Sequence, residues 1–116
     1  MSDEFEIVEG GVRDDTLLLR LRGRLDARSA PLLLQSAAET RRQRRNLVLN
    51  LSEVTFMASS GLGSLLSLAE EFRQSESRFR IAAPSTAVLS VIQLLNLDQF
   101  LKIDASEEEA LVAIHA

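Results

Sequence analysis

The sequence predicts a single α/β domain in which about four helices pack against a mixed, mostly parallel sheet. Two short apolar segments near the N-terminus flank Gly10-Gly11 and Asp14-Asp15, which predicts a first β-hairpin. Strand-like and helix-like segments then alternate to the end of the chain, as in parallel sheets. The run from Asn46 to Leu51 shows no apolar–polar alternation, which is typical of a central strand covered on both faces. A length of 116 residues suits one core, so we expect one domain spanning 1–116.

Composition excludes several classes of protein. Hydrophobic residues make up 46% of the chain, a normal share for a folded domain. The absence of cysteine excludes disulfides and fits a cytoplasmic protein. The net charge of −4 argues against direct binding to nucleic acids. No apolar stretch is long enough to span a membrane, and residues 1–4 do not resemble a signal peptide.

The first two strands are predicted to pair with each other. Apolar residues in the segment from Phe5 to Val8 begin the first strand, and Gly10-Gly11 ends it. Alternating leucines between Thr16 and Leu21 predict the second strand. The segment Gly23 to Asp26 follows as a tight connection.

A first helix is predicted to end at Gln43 and to begin at Ala27 or Ser29. Asp26 and Ser29 compete for the N-cap, and Pro31 favours the later start because proline fits only the first turn. One face carries Ala30, Leu33, Leu34 and Ala37. Four arginines close the helix: Arg41, Arg42, Arg44 and Arg45. They are expected to offset the helix dipole, and docking of an acidic partner stays open as the alternative.

The centre of the chain combines a strand, a short turn and a second helix. Asn46 to Leu51 is the central strand, and Val54 to Met57 is a short extension of it. The second helix runs from about Ser60 to Gln74, and its predicted buried face comprises Leu62, Leu65, Leu66, Ala69 and Phe72. Gly61 and Gly63 each disfavour the helix by about 1 kcal/mol relative to alanine. Their presence suggests that the backbone there comes close to another group.

The remaining chain predicts two more strands and two more helices. Arg78 to Ala82 alternates as a strand, and Pro84-Ser85 begins a third helix with Val88, Val91, Ile92 and Leu95 on its apolar face. Phe100 to Ile103 is the predicted last strand. Ser106 to Glu109 resembles a capping box and starts a final helix that buries Ala110, Leu111 and Ile114.

Catalytic and metal chemistry finds little support in these residues. His115 is the only histidine and, close to the end of the sequence, is expected to be mobile. Together with the absence of cysteine, this argues against a metal site and against a Ser-His-Asp triad. Gly61 and Gly63 lack the third glycine of a dinucleotide-binding motif and the lysine of a P-loop. We therefore expect no metal, no cofactor and no enzyme activity.

Ser59 and Ser60 stand at the mouth of the second helix. The unpaired N–H groups and the dipole of a helix N-terminus favour an anion there. In the ordinary interpretation, one serine is the N-cap and the other is merely small. In the functional interpretation, one hydroxyl accepts a phosphoryl group, which the helix N-terminus then stabilises. Composition and periodicity leave both interpretations open.

Three segments carry a resemblance to a known family. The first extends from Asn46 to Leu66 and contains L-V-L-N-L-S-E-V-T-F-M-A-S-S-G-L-G-S-L-L. The others are Leu21 to Asp26, which reads L-R-G-R-L-D, and the closing segment from Phe100 to Ala110. Together they resemble the STAS domain of bacterial anti-sigma factor antagonists.

The resemblance implies a binding switch without catalytic activity. Such antagonists bind an anti-sigma factor with serine kinase activity and thereby free a sigma factor. The kinase phosphorylates the first serine of an Asp-Ser-Ser-Gly motif, which corresponds to Ser59, and a phosphoserine phosphatase resets the switch. The resemblance places Asp26 near this serine on the partner-binding surface, which would also include Met57, Ala58, Ser60, Gly61 and Leu62. An exposed apolar patch around Met57 and Leu62 is expected to serve a partner or a homodimer.

Ala58 departs from the family pattern, because the motif has aspartate at this position. Loss of a carboxylate that orients the serine would slow phosphorylation, whereas loss of a negative charge would reduce repulsion of the incoming phosphate. The substitution also supports an alternative function. In that alternative, the chain is a non-switching STAS interaction module in a stressosome-like or lipid-transport assembly.

Overall fold

The computed structural model describes residues 4–116. Residues 1–3, part of the segment for which no signal peptide is expected, lie outside the described residues. The elements are β1 (Glu6–Arg13), β2 (Thr16–Leu25), α1 (Ala30–Arg42), β3 (Asn46–Met57), α2 (Ser59–Arg73), β4 (Phe79–Ala82), α3 (Thr86–Leu94), β5 (Ile103–Asp104) and α4 (Glu107–Ala113). The strands form one sheet in the order β1-β2-β3-β4-β5. Only the β1–β2 pair is antiparallel, so the predicted fold class is confirmed.

The first hairpin is longer than predicted. The expectation that Gly10-Gly11 ends β1 is wrong, because the strand continues to Arg13. A register shift between Glu9 and Gly11 absorbs the glycines as a bulge, and Gly11 adopts a φ of 103°. The turn itself consists of Asp14-Asp15, as the sequence indicates.

β2 also extends beyond its predicted end, and β3 runs without a break into its predicted extension. The segment Gly23 to Asp26 is not a tight connection, because β2 continues to Leu25. The extension Val54 to Met57 belongs to one uninterrupted β3. Register shifts between Arg20 and Arg22, and between Gly23 and Arg24, keep the two strands paired until Leu25 lies opposite Met57.

The starts of α3 and α4 follow local capping chemistry. Ser85 accepts a hydrogen bond from the Val88 N–H at 3.3 Å, and Ser106 accepts one from the Glu109 N–H at 3.1 Å. The predicted last strand is shorter, because Phe100 and Leu101 lie in a turn before β5. Leu95, the residue after the end of α3, is exposed and is not part of the predicted buried face.

The arginines that close α1 agree with the dipole interpretation in part. Arg41 and Arg42 lie in the last turn of α1. They form ion pairs with Glu71 and Glu39 respectively. Arg44 follows the helix in a left-handed conformation with a φ of 59°.

The sheet is covered on both faces, as the unbroken apolar run of β3 predicts. Alternate residues of β2 and β3 pack against α1, α2 and α3 on one face, and these comprise Leu17, Leu19, Leu21, Leu47, Leu49 and Leu51. Residues of the opposite parity pack under α4 on the other face, together with Ala82 from β4, and these comprise Leu18 and Val48. The large buried aromatic residue Phe72 contacts Phe79 with 5.6 Å between ring centroids.

The end of α4 is tied to the first hairpin through His115, so the expectation that His115 is mobile is wrong. Its Nε2 lies 3.1 Å from Asp15 Oδ1 and 3.4 Å from Thr16 Oγ1, and its Nδ1 lies 3.2 Å from the Leu111 carbonyl oxygen. Asp15 and Thr16 contact the same ring nitrogen. This geometry is not that of a catalytic triad, in which nucleophile and carboxylate bind opposite nitrogens.

We expect the free energy of unfolding to depend on pH through His115. The hydrogen bond that the His115 ring donates to the Asp15 carboxylate raises the pKa of His115 above its ordinary value of 6.5. The stabilisation is therefore complete below pH 6.5 and is lost as pH rises through the raised pKa. Urea unfolding across this range should show stability falling with pH in the wild type, and His115→Gln should remove this part of the slope. An unchanged slope in the variant would contradict the assignment.

Gly61 and Gly63 should respond in opposite ways to alanine. A Cβ at Gly61 would lie 2.4 Å from the Leu25 carbonyl oxygen, whereas one at Gly63 would meet nothing within 4 Å. We expect Gly61→Ala to destabilise the protein by about 1–3 kcal/mol through overpacking. We expect Gly63→Ala to stabilise α2 by up to about 1 kcal/mol. Urea unfolding measures both, and equal effects would contradict the close approach at Gly61.

Candidate functional site

The candidate site lies where β3 passes directly into α2. Met57 ends the strand, Ser59 begins the helix, and Ala58 is the only residue between them. The Ala58 N–H donates to the Leu25 carbonyl oxygen at 3.0 Å, and the Ala58 carbonyl oxygen accepts from the Leu62 N–H at 3.0 Å. One residue therefore joins the end of β2, the end of β3 and the first turn of α2.

Ser59 and Ser60 occupy the first turn of α2, and both are exposed. The helix begins one residue earlier than predicted, so neither serine is the N-cap. That position belongs to Ala58, which is extended with φ −83° and ψ 171° and forms no side-chain cap. The ordinary interpretation of a serine cap is therefore wrong. An alanine methyl leaves the first N–H groups of α2 without a side-chain acceptor at the cap position.

Asp26 lies beside this turn, because it follows Leu25 and Leu25 pairs with Met57. Its Oδ1 accepts hydrogen bonds from the backbone N–H groups of Arg28 at 3.0 Å and Ser29 at 3.3 Å. The Arg28 N–H is the main reason that the pKa of Asp26 is lowered. The carboxylate therefore stays ionised and shapes the loop between β2 and α1.

The Ser29 side chain stabilises the same loop through hydrogen bonds and does not cap α1. It is buried, and its hydroxyl donates to the Arg24 carbonyl oxygen at 2.7 Å. The Ser29 hydroxyl oxygen in turn accepts a hydrogen bond from the Asp26 N–H at 2.9 Å. The prediction that Asp26 and Ser29 compete for one N-cap is therefore wrong. Both residues stabilise the turn that leads into α1.

The expectation of an exposed apolar patch around Met57 and Leu62 is wrong. Both side chains belong to the main core, with exposures of only 6% and 7%. Met57 ends β3 on the sheet face that α1, α2 and α3 cover, and Leu62 lies on the inward face of α2. Gly61 is also buried, whereas Ala58 is partly exposed. Of the predicted partner-binding residues other than Asp26, only Ala58 and Ser60 therefore present surface.

A different apolar surface flanks the site, and the sequence reasoning missed it. Phe56 is 41% exposed, and the Arg24 guanidinium stacks over its ring at 4.2 Å from the centroid. Leu32 of α1 is 50% exposed and lines, with Arg24 and Asp26, a depression of about 430 Å³. Alternation in β3 could not have revealed this surface, because Val54 and Met57 are both buried while Thr55 and Phe56 between them are exposed. The register shift between Gly23 and Arg24 of β2 accompanies this break in alternation.

The arrangement suits the binding of an anion beside Ser59. An exposed hydroxyl lies at the positive end of a 15-residue helix, where a phosphate would be stabilised. Asp26, the carboxylate of the adjoining loop, is engaged by two backbone N–H groups and is not arranged as a general base. No group of three or more residues between 4 and 116 has the geometry to hold a metal. Within the same range, no helix is long and apolar enough to cross a membrane.

Solved structures of similar fold include several anti-sigma factor antagonists. An anti-sigma factor antagonist from Mycobacterium paratuberculosis is 25% identical, with a TM-score of 0.87 over 100% of this chain and 98% of that chain. SpoIIAA in its unphosphorylated form is 25% identical, with a TM-score of 0.76 over 95% of this chain and 96% of that chain. The phosphorylated form of SpoIIAA, a Bacillus cell fate determinant, is 25% identical, with a TM-score of 0.70 over 96% of this chain and 99% of that chain.

The comparison with protein families agrees with these structures. The STAS domain family matches residues 9–110, which include every strand and helix of the site described above. The match begins within β1 and ends within α4. This chain therefore belongs to the STAS domain family.

Proposed function

We propose that this protein is an anti-sigma factor antagonist that is switched by phosphorylation of Ser59. Without phosphate, it binds an anti-sigma factor with serine kinase activity and so releases a sigma factor. The observation that carries the proposal is the exposed Ser59 in the uncapped first turn of α2. The similar protein SpoIIAA is known in both phosphorylated and unphosphorylated forms, which supports a switch of this kind. Because sigma factors act inside the cell, we place the protein in the cytoplasm.

The partner surface consists of the residues that surround Ser59 and present surface. Ser60 and Ala58 form its centre, Asp26 lies on one side, and the Arg24–Phe56 stack extends it. An exposed aromatic side chain packed by an arginine is typical of interface anchors. Met57, Gly61 and Leu62 contribute from below by fixing the backbone of the turn.

Phosphorylation would change this surface in two ways. A phosphoserine adds about −1.5 to −2 charges, which the N-terminal N–H groups of α2 stabilise in place. The same charge appears next to the ionised Asp26 and repels an acidic or apolar partner surface. Binding weakens, and a phosphoserine phosphatase restores it.

Ala58 tunes the switch rather than disabling it. An aspartate at the N-cap position would accept the first N–H groups of the helix and repel a phosphate on the next residue. The methyl group of Ala58 does neither, so the helix N-terminus is fully available to phosphoserine at position 59. The kinase and the phosphatase supply the chemistry, and this protein supplies the binding surface without catalysis.

Ser59→Asp should weaken binding to the anti-sigma factor because it places a permanent negative charge at the switch. The measurement is recovery of partners from the native cell by tagged protein, followed by mass spectrometry. Ser90→Asp is a matched control, since it adds the same charge on the exposed surface of α3. We expect the wild type and Ser90→Asp to recover a small kinase-like ATPase and Ser59→Asp to lose it. Equal recovery of a multi-subunit assembly by all three would instead indicate a non-switching module.

Ala58→Asp should stabilise the unphosphorylated protein by about 1 kcal/mol by capping α2. Phosphorylation of Ser59 should then stabilise the wild type more than the variant, because the aspartate already occupies the first N–H groups. Urea unfolding of both proteins, with and without treatment by the kinase and ATP, measures the difference. Ala58→Asn separates capping from charge, since it caps without adding a negative group. A phosphate that maps elsewhere than Ser59 would contradict the proposed site.

A further inference from the structure

A groove of about 700 Å³ lies near the start of β4, at the opposite end of the sheet from Ser59. Neighbouring parallel strands begin at the same end of a sheet and finish at the opposite end, so the start of β4 and the end of β3 lie far apart. The groove lies beside the first residues of β4, and its lining includes Arg78, Phe79, Arg80, Phe100 and Lys102.

At the β4 edge beside this groove, the backbone of one residue, Phe79, is left unpaired among the described residues, and Phe79 is 7% exposed. β5 pairs only with Ile81 and Ala82, and the Ile81 N–H donates to the Lys102 carbonyl oxygen at 2.9 Å. Because backbone groups alternate in direction along a strand, the N–H and C=O of Phe79 point to the same side as those of Ile81. The chain opposite Phe79 is the turn before β5, and within residues 4–116 no backbone hydrogen bond joins that turn to Phe79.

The charge of the groove is positive. Arg78 and Lys102 are exposed and form no ion pair with a described carboxylate, although Arg78 donates to the carbonyl oxygens of Ile114 and Ala116. Arg80 is neutralised by Asp104 at 2.6 Å. One carboxylate, Glu76, is part of the lining. The attraction of an anionic partner to Arg78 and Lys102 therefore outweighs its repulsion by Glu76.

Phe100 adds an apolar surface to the rim. Its side chain is 43% exposed, although aromatic residues make up only 4% of this chain. The groove thus combines an unpaired strand edge, uncompensated cations and an exposed ring. These are the features that β-strand addition uses for backbone pairing and for side-chain selection.

We propose that this groove binds a short, extended, acidic segment of a partner protein. The segment pairs through its backbone with Phe79, places carboxylates near Arg78 and Lys102, and lays an apolar side chain on Phe100. A peptide is the occupant because Phe79 presents both a donor and an acceptor, whereas a phosphate group offers only acceptors. Since Ser59 lies at the other end of the sheet, this second partner can bind together with the first.

The probe is the synthetic peptide Asp-Val-Asp-Leu-Asp-Val with blocked ends, titrated into ¹⁵N-labelled full-length protein. We expect saturable amide shifts around Phe79 and Lys102, and hydrogen exchange at the Phe79 amide slowed by about tenfold. Lys102→Glu should weaken binding by about tenfold because it reverses a charge at the contact. Arg44→Glu makes the same change in charge on an exposed residue outside the groove, and it should bind as the wild type does.

Several results would overturn the proposal. Equal weakening by Lys102→Glu and Arg44→Glu would reduce the interaction to net charge, and shifts centred on Ser59 would place it at the other end of the sheet. Shifts around Phe79 that depend on protein concentration without peptide would identify a second copy as the occupant. Displacement of the peptide by a single-stranded oligonucleotide at equal concentration would indicate a general anion site. Absence of saturable shifts would exclude peptide binding.

Discussion

The contact between the first turn of α2 and the end of β2 is the constraint on which the site depends. Gly61 lets the helix backbone approach the Leu25 carbonyl oxygen so closely that a Cβ would lie 2.4 Å from it. The same oxygen accepts the Ala58 N–H, so one peptide group fixes both the turn and the helix. Asp26, the next residue after Leu25, is thereby held beside the serines. Without this approach, the helix N-terminus would tilt away from the sheet and the two loops would no longer form one surface.

At this surface, buried residues position the turn and exposed residues are available for contact. Met57, Gly61 and Leu62 are buried, and they set the position of a turn whose exposed residues are Ser59 and Ser60. A hydroxyl on the first turn of a packed helix has a fixed place on the surface. In the proposed switch, an external kinase supplies the chemistry and this surface supplies the binding.

The features of the fold that depend on periodicity and short motifs could be predicted from the sequence. The order of elements, the coverage of both faces of β3 and the position of Ser59 all follow from apolar spacing and small-residue turns. The ends of β1 and β2 were underestimated, because glycines that usually end strands are absorbed here by bulges and register shifts. The exposure of Phe56 and the burial of Met57 accompany the register shift that pairs Arg24 with Phe56 and Leu25 with Met57. That register is set by pairing with β2 over a long distance in sequence, which local patterns do not contain.

The position before the first serine shows how the fold tolerates a helix without a side-chain cap at the site of the proposed switch. The N-cap residue contributes to the helix through one side-chain acceptor, worth about 1 kcal/mol, and a packed helix tolerates its loss. α2 is held by buried residues along its length, including Leu65, Leu68 and Phe72, so Ala58 removes the cap without removing the helix. The first N–H groups of α2 then have no side-chain acceptor at the N-cap. In the proposed switch, the stability that an aspartate would supply permanently would come instead from the phosphate, and only in the phosphorylated state.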